Sequence, residues 1–259
     1  MLIVQISDLH VAAGGGNESG PDAAANLARC VRHITRLALR PDVVLATGDL
    51  VDGGTPAEYH LLRKLLAPLR MPVYVIPGNH DDRNALRKAF FDHGYLGSGD
   101  GPIHYAVDHH ELGLIALDTT IPSAEGGALE RRQMEWFGAT LERMTHHSVL
   151  VFMHHPPIKT GIQCMDDIAL DDASAARLGV IVSCEPRVER IVCGHVHRSI
   201  QARWNGTLVS ICPSTAFQSV LGLGGEPFDA ARDEPPAYQL HYWNGAELIT
   251  HTVPVGMSA

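Results

Sequence analysis

Short apolar runs bounded by polar or glycine residues recur along the chain, and this feature most constrains its fold. Seven such runs have the length of buried strands; they lie at residues 2–7, 43–47, 73–76, 114–117, 149–153, 191–193 and 208–211. Amphipathic helical patterns lie between them, most clearly from residue 23 to about residue 39. The alternation predicts a layered α/β protein, which we interpret as a single domain over residues 1–259.

Local signals mark where some of these elements begin and end. Thr55-Pro56-Ala57-Glu58 combines an N-cap, a proline at the first helical position and a capping-box glutamate, so a helix should start there. Further helices are predicted at residues 84–91, 129–143 and 173–178. Asn244-Gly245 between two strand patterns predicts a tight turn, and thus a C-terminal β-hairpin at residues 237–254 that is a candidate for oligomerisation.

Composition excludes several classes of protein. No apolar run approaches the roughly 18 residues needed to span a bilayer, and the first six residues resemble a strand rather than a signal peptide, so we expect a cytoplasmic location without membrane association. Five scattered cysteines without C-x-x-C spacing predict free thiols. A formal net charge of −9 and no basic patch argue against binding of long nucleic acids, which favours a small substrate.

Polar residues follow five of the predicted strands at the point where each strand ends. They are Asp8 and His10, then Asp49, then Asn79 and His80, then His154, and finally His195 and His197. Each group taken singly is commonly a turn or a helix cap. Because strand ends of an open α/β sheet face one crevice, their joint occurrence predicts a metal site.

The chemistry of these side chains indicates the kind of metal. Imidazole, carboxylate and amide oxygen form a mixed nitrogen and oxygen set without thiolate, which suits Mn, Fe, Zn or Co. Leaving out His80, seven candidate ligands exceed the needs of one tetrahedral ion. Two divalent or mixed-valence ions about 3.5–4 Å apart, bridged by one carboxylate, would use them all.

The motifs, in this order, resemble those of the calcineurin-like metallophosphoesterase superfamily. They are Asp8-x-His10, Gly48-Asp49, Gly78-Asn79-His80-Asp81, His154-His155-Pro156-Pro157 and Gly194-His195-Val196-His197. Within the superfamily the chain resembles the bacterial class III cyclic-nucleotide phosphodiesterase and glycerophosphodiesterase branch, from Met1 to about Ser219. The resemblance implies a four-layer α-β-β-α sandwich of two packed mixed sheets flanked by helices. The alternation of elements alone would also allow a single doubly wound sheet.

The resemblance also implies a ligand set for each ion. One ion would be held by Asp8, His10, Asp49 and His197, and the other by Asp49, Asn79, His154 and His195. Asp49 would therefore bridge the two ions, while His155 would be a structural neighbour of the site.

The expected reaction is in-line attack of a metal-bridging hydroxide on phosphorus. We assign His80 with Asp49 to catalysis, with His80 acting on the leaving oxygen or a phosphate oxygen. Asn79, His80 and Phe217 are the expected substrate contacts. For Asp81 a structural role, such as capping the next helix, is favoured over orienting His80.

Substrate choice follows from the resemblance and from the loops. We predict a phosphodiesterase for small diesters, namely 3′,5′-cyclic nucleotides such as cAMP or related 2′,3′-cyclic nucleotides. A glycerophosphodiester phosphodiesterase, a phosphomonoesterase or nucleotidase, and a non-catalytic scaffold are the alternatives.

Loops at residues 14–20, 161–167 and 214–222 are expected to form the pocket rim. Phe217 stands near the position where some relatives carry a histidine, which favours a cyclic nucleotide over a glycerol headgroup. Related enzymes dimerise, so we expect a homodimer or higher homo-oligomer.

Overall fold

A computed structural model of the chain describes residues 1–13, 23–144, 148–231 and 233–256. The predicted rim loop at residues 14–20 lies outside them. The strands, numbered in chain order, are β1 (Leu2–Ile6), β2 (Val43–Thr47), β3 (Val73–Ile76), β4 (Tyr105–Val107), β5 (Gly113–Leu117), β6 (Val149–Met153), β7 (Val188–Cys193), β8 (Ile200–Trp204), β9 (Thr207–Ile211), β10 (Gln218–Ser219), β11 (Ala230–Ala231), β12 (Ala237–Trp243) and β13 (Leu248–Pro254). The α-helices are α1 (Ala23–Thr35), α2 (Pro56–Leu66), α3 (Arg83–Ala89), α4 (Arg131–Arg143), α5 (Gln163–Asp166) and α6 (Asp172–Ser183), and a 3₁₀ helix spans Gly94–Leu96.

Two mixed sheets carry the fold. The first has the strand order β13-β12-β1-β2-β3, and β1, β2 and β3 run parallel. The second has the order β4-β5-β6-β7-β9-β8, with a parallel centre of β5, β6, β7 and β9 and antiparallel edge strands β4 and β8. In each sheet the parallel strands end at the same edge, which is where the loops with the predicted ligands begin.

The two faces of the second sheet pack against different layers. Leu114, Leu150, Phe152 and Val192 join the core shared with the first sheet and with α1 and α2. Their neighbours in sequence, including Val151, pack with α4 and α6 instead. Since side chains alternate across a strand, this division places one sheet against the other with helices outside. The predicted four-layer sandwich is confirmed, and the alternative of a single doubly wound sheet is wrong.

Several element boundaries differ from the sequence expectations. The first helix ends at Thr35 rather than near residue 39. The amides of Arg36 and Leu37 donate to the carbonyls of His33 and Ile34, three residues back, which is 3₁₀ rather than α-helical bonding. The short strands β4, β8, β10 and β11 and the single turn of α5 were not predicted. The α2 N-terminus agrees with its signal: Thr55 and Glu58 form the expected capping box.

The C-terminal hairpin forms, with β12 and β13 paired from Ala237↔Pro254 to Trp243↔Leu248. Its connection contains residues 244–247 and is therefore longer than the predicted two-residue turn. The reason is local: the Asn244 side-chain oxygen accepts hydrogen bonds from the amides of Ala246 and Glu247, at 2.9 and 2.8 Å, and stabilises a wider loop.

Among the described residues no helix has the length and apolar character needed to cross a bilayer.

Candidate metal centre

All seven predicted metal ligands lie at the carboxyl ends of five parallel strands. Asp8 and His10 follow β1, Asp49 follows β2, and Asn79 follows β3. His154 follows β6 directly, and His195 and His197 follow β7. The strand ends of both sheets therefore contribute to one site at the end of the sandwich.

The loops that carry these ligands are tightly bent. Five of the ligands have positive φ angles, a conformation that costs a non-glycine residue roughly 1 kcal/mol or more; they are Asp8 (52°), His10 (43°), Asp49 (48°), His195 (74°) and His197 (53°). Hydrogen bonds between the loops hold this geometry, since the Asp49 carbonyl accepts from the amides of Leu9 and His10 at 2.8 and 2.9 Å. Strain concentrated on these residues supports a role in binding.

One group of ligand atoms comprises side chains of Asp8, His10, Asp49 and His197, all within 4.8 Å of one another and buried. His10 Nε2 lies 3.1 Å from His197 Nε2 and 3.7 Å from Asp49 Oδ2, and His197 Nε2 lies 3.5 Å from Asp8 Oδ1. Atoms bound to one ion at about 2.1 Å are roughly 3–3.5 Å apart, so these separations fit a shared cation. The set matches the first ligand set that the resemblance implied.

A second group lies next to the first and consists of Asp49, which the two groups share, with Asn79, His154 and His195. His154 Nε2 lies 3.4 Å from Asp49 Oδ2 and 3.2 Å from Asn79 Oδ1. The buried Nε2 of His195 has no hydrogen-bond partner within the described part of the chain. Asp49 Oδ2 thus faces a histidine of each group, which is the arrangement that a bridging carboxylate requires.

Three of the histidines are oriented in the way that metal-binding histidines usually are. Each donates its Nδ1–H to an acceptor outside the ligand set: His10 to Asp52 Oδ1 at 3.2 Å, His154 to the Thr47 carbonyl at 2.8 Å, and His197 to the Phe217 carbonyl at 3.0 Å. In the neutral ring this fixes the tautomer and directs the Nε2 lone pair into the site. Acceptor atoms that face each other at about 3 Å are stabilised by a cation between them.

The electrostatics of the site also favour positive charge. Burial raises the pKa of Asp49, but the nearby His154 and His10 outweigh burial and hold it well below its usual range. Burial lowers the pKa of His154, but the charge and hydrogen bond of Asp49 outweigh it and raise that pKa to about 9. Burial lowers the pKa of His195 well below its usual range, which keeps its imidazole neutral, as ligation needs.

His155 is close to the second group but has no free ring nitrogen. Its Nε2–H donates to the Glu125 carbonyl at 2.9 Å, and its Nδ1 accepts from the Thr119 hydroxyl at 2.8 Å. Burial lowers the pKa of His155 to about 3, so it stays neutral. These bonds keep His155 out of the ligand set, as the resemblance implied, because ligation would break one of them.

His80 lies beside the ligands without belonging to either group. Its amide donates to Asp49 Oδ1 at 3.0 Å, its Nδ1–H donates to the Asp52 carbonyl at 2.9 Å, and its ring centre is 4.7 Å from that of His10. Burial lowers the pKa of His80, but the carboxylates of Asp49 and Asp52 outweigh burial and raise it. The charged form of His80 is therefore stabilised beside the candidate ligands.

The cap of α3 differs from the sequence expectation. Asp82 is the N-cap, because its side chain accepts from the Ala85 amide at 2.7 Å. Asp81 instead accepts from the amides of Leu50 and Gly78 at 3.0 and 2.9 Å and from the Tyr59 hydroxyl at 2.8 Å. Its role is structural, as expected, but it joins the two ligand loops rather than capping the helix.

A cavity of about 350 Å³ opens at the site, within the range of small-molecule pockets. It is lined by His10, Asp49, Asp52, Asn79, His80, Glu125, Cys164, Met165, Ile168, His195, His197, Phe217 and Phe228. The loops at residues 161–167 and 214–222 contribute to it as predicted. Asp52, Glu125 and Phe228 were not selected from the sequence, which offered only the closeness of Asp52 to Asp49 as a signal. A larger cavity of about 450 Å³ near Arg63 and Tyr95 contains none of the candidate ligands.

The chain is similar to known phosphoesterases. The family model of the calcineurin-like phosphoesterases matches residues 1–199. The chain is 34% identical over 258 residues to a probable glycerophosphodiester phosphodiesterase, GpdQ, of Arcobacter nitrofigilis, covering 99% of this chain and 94% of that protein. It is 30% identical over 223 residues to the 3′,5′-cyclic adenosine monophosphate phosphodiesterase CpdA of Pseudomonas aeruginosa, covering 86% and 79%.

The fold is also found among solved structures. A dimetal phosphatase from Danio rerio superposes with a TM-score of 0.71 at 16% identity, covering 98% of this chain and 99% of that one. At this identity the similarity supports the fold alone.

Proposed function

Because the chain belongs to the calcineurin-like phosphoesterase family, we propose that it hydrolyses small phosphodiesters with the help of two metal ions. The preferred substrates are 3′,5′-cyclic nucleotides such as cAMP, or related 2′,3′-cyclic nucleotides. One observation carries the proposal: Asp49 Oδ2 lies 3.7 Å from His10 Nε2 and 3.4 Å from His154 Nε2, between two groups of metal-binding side chains.

Different residues would bind the metal ions, stabilise charge in the reaction and contact the substrate. Asp8, His10, Asp49 and His197 would hold one ion, and Asp49, Asn79, His154 and His195 the other. When bound, such ions supply Lewis acidity toward phosphate oxygens and activate water near neutral pH. His80 stabilises charge on the leaving oxygen or donates a proton to it, while Asn79 and Phe217 contact the substrate. The nitrogen and oxygen ligands suit Mn, Fe, Zn or Co.

The charge of the cavity supports a diester over a monoester. Its lining includes the carboxylates of Asp52 and Glu125 beside Asp49, and among the described residues it contains no lysine or arginine. A diester carries one negative charge near neutral pH, whereas a monoester carries nearly two. The two ions would attract either group, but Asp52 and Glu125 in the lining repel the doubly charged one more strongly.

The test compares turnover of bis(p-nitrophenyl) phosphate with that of p-nitrophenyl phosphate, with Mn, Fe and Zn supplied separately. We expect kcat/KM for the diester to exceed that for the monoester by about tenfold, equivalent to roughly 1.4 kcal/mol of transition-state stabilisation. A preference of that size for the monoester would instead identify a phosphomonoesterase or nucleotidase.

A glycerophosphodiester is the second candidate substrate, and the sequence similarity to the Arcobacter nitrofigilis protein over 99% of this chain favours it. A panel of 3′,5′- and 2′,3′-cyclic nucleotides and glycerophosphodiesters distinguishes the two.

A non-catalytic scaffold is disfavoured because all seven ligands are present. The five cysteines are free thiols, which supports a reducing, cytoplasmic location.

We further propose that the C-terminal hairpin mediates self-association into a homodimer or larger homo-oligomer. β13 is an edge of the first sheet, and Tyr242 and Ile249, both 39% exposed, leave apolar surface on the hairpin. We expect light scattering to give a mass of at least two chains, and Ile249→Lys to lower it to one chain. The control Val180→Lys, at a 67% exposed position of α6, which packs on the second sheet, should leave the mass unchanged. A monomeric wild-type chain would contradict this proposal.

A further inference from the structure

We propose that the apolar walls of this cavity bind the nucleobase of the substrate, and that Phe228 is a specificity-determining residue. The inference rests on the proposed function, because it assigns a position to the organic group of a phosphodiester whose phosphate lies at the metal centre. It extends beyond Phe217 to Phe228, in the part of the β10–β11 loop that lies outside the predicted pocket rim.

One wall is aromatic and begins at the metal ligands. The Phe217 ring centre is 4.6 Å from that of His197 and 5.6 Å from that of His10. Phe228 continues the wall outward, since its ring centre is 6.3 Å from those of both Phe217 and His197. A substrate with its phosphate at the ligands places the next part of its alcohol beside these rings.

Phe228 is 47% exposed, which is unusual for a phenylalanine that serves packing alone. It lies in the loop between β10 and β11, where Val220, Leu221 and Leu223 are also exposed. Of these four apolar side chains, only that of Phe228 lines the cavity. Its ring is therefore available to a planar group that enters from solvent.

A second apolar wall comes from the segment around α5. Cys164, Met165 and Ile168 line the same cavity as the two phenylalanines. The β10–β11 loop approaches this segment, because Leu223 Cδ2 lies 3.4 Å from the position that a Cβ on Gly161 would take. Polarisable sulfur and aromatic rings are surfaces on which a flat aromatic base packs well.

The polar lining fits a group that donates hydrogen bonds. Glu125 is exposed at the cavity and can accept from the exocyclic amine of adenine or guanine. Carboxylates without a lysine or arginine among the described lining residues disfavour a second phosphate on the substrate. The combination of flat apolar walls with an acceptor in the same cavity therefore favours a cyclic nucleotide whose base carries an exocyclic amine, such as cAMP.

The test measures kcat and KM of metal-loaded Phe228→Ala for cAMP and for two aliphatic diesters, glycerophosphoglycerol and glycerophosphocholine. Loss of a base–aromatic contact typically weakens binding by about tenfold or more, so we expect KM for cAMP to rise by that factor with kcat nearly unchanged. Glycerophosphoglycerol should be unaffected, and Phe228→Trp should restore the wild-type KM for cAMP. Leu221→Ala, at an exposed position of the same loop outside the cavity, is the matched control.

Two results would contradict a base site at Phe228. An equal change for cAMP and glycerophosphoglycerol would overturn it, since the ring would then serve only the structure of the site. A loss confined to glycerophosphocholine would also overturn it, because the rings would then bind a quaternary ammonium group instead. Calorimetric titration of the metal-loaded chain with 5′-AMP separates this inference from the proposed function: a weaker affinity in Phe228→Ala supports a base site even if no diester is hydrolysed.

Discussion

Replacing Asp49 with asparagine should lower phosphodiester turnover by at least about 10³-fold, which corresponds to roughly 4 kcal/mol of transition-state stabilisation. The physical reason is its position, because its Oδ2 faces His10 of one ligand group and His154 of the other. The substitution keeps the shape of the side chain but removes the negative charge that both ions would share. We therefore expect the metal content, measured by mass spectrometry after equilibrium dialysis, to fall below one ion per chain.

His80→Ala is the matched variant for this experiment. Its amide contacts the same carboxylate, with 3.0 Å between the His80 nitrogen and Asp49 Oδ1, but its side chain belongs to neither ligand group. We expect two ions per chain to remain while kcat falls by about 10²–10⁴-fold, the usual contribution of a general acid. Because alanine keeps the main-chain N–H, the hydrogen bond to Asp49 survives in this variant.

The pair of variants separates metal binding from proton transfer. If Asp49→Asn kept both ions and its activity, the carboxylate would not bridge, and the division of ligands into two groups would be wrong. If His80→Ala lost its ions, His80 would act through the ligand loops rather than on the substrate. Circular dichroism of both variants shows whether the fold is retained in each case.

The sequence predicts most of the fold because its buried strands are short and well separated. β2, β3 and β6 agree residue for residue with the apolar runs, since a strand buried on both faces is apolar throughout. The edge strand β8, Ile200–Trp204, alternates between exposed and half-buried residues and has no such run. The four-layer arrangement came from the resemblance, and the family and the fold are both confirmed.

The site is predictable as far as it depends on ligand chemistry at strand ends. The residues that were missed act through tertiary contacts: Asp52 fixes the His10 ring, and Glu125 and Phe228 enter the cavity from distant loops. No local pattern distinguishes Phe228 from the other apolar residues of its loop, because only the folded hairpin places it near Phe217. Similarly, Asp81 and Asp82 are equivalent as cap candidates until Tyr59 and Leu50 are seen to bond to Asp81.

The second large effect is expected for Gly78→Ala, which should destabilise the fold and prevent metal binding together. A Cβ at position 78 would lie 2.2 Å from Asp49 Oδ1, 2.3 Å from the Asp49 amide nitrogen and 2.8 Å from His154 Cε1. A flexible side-chain atom could move away, but the Asp49 amide belongs to a loop held by hydrogen bonds to Leu9 and His10. Either the β3 loop or the β2 loop must shift, and both carry ligands.

We expect the free energy of unfolding of Gly78→Ala, measured with urea in the presence of EDTA, to fall by about 3 kcal/mol, at the upper end of the usual cost of overpacking. Its affinity for Mn should fall by about 100-fold or more, since even residues that only orient ligands contribute 10–100-fold. Gly138→Ala is the control: no atom lies within 4 Å of that Cβ position in α4, and alanine should stabilise the helix by about 0.5–1 kcal/mol. Unchanged stability and Mn affinity in Gly78→Ala would mean that the two ligand loops can separate freely. In that case the close contact between Gly78 and Asp49 would not be what positions the bridging carboxylate.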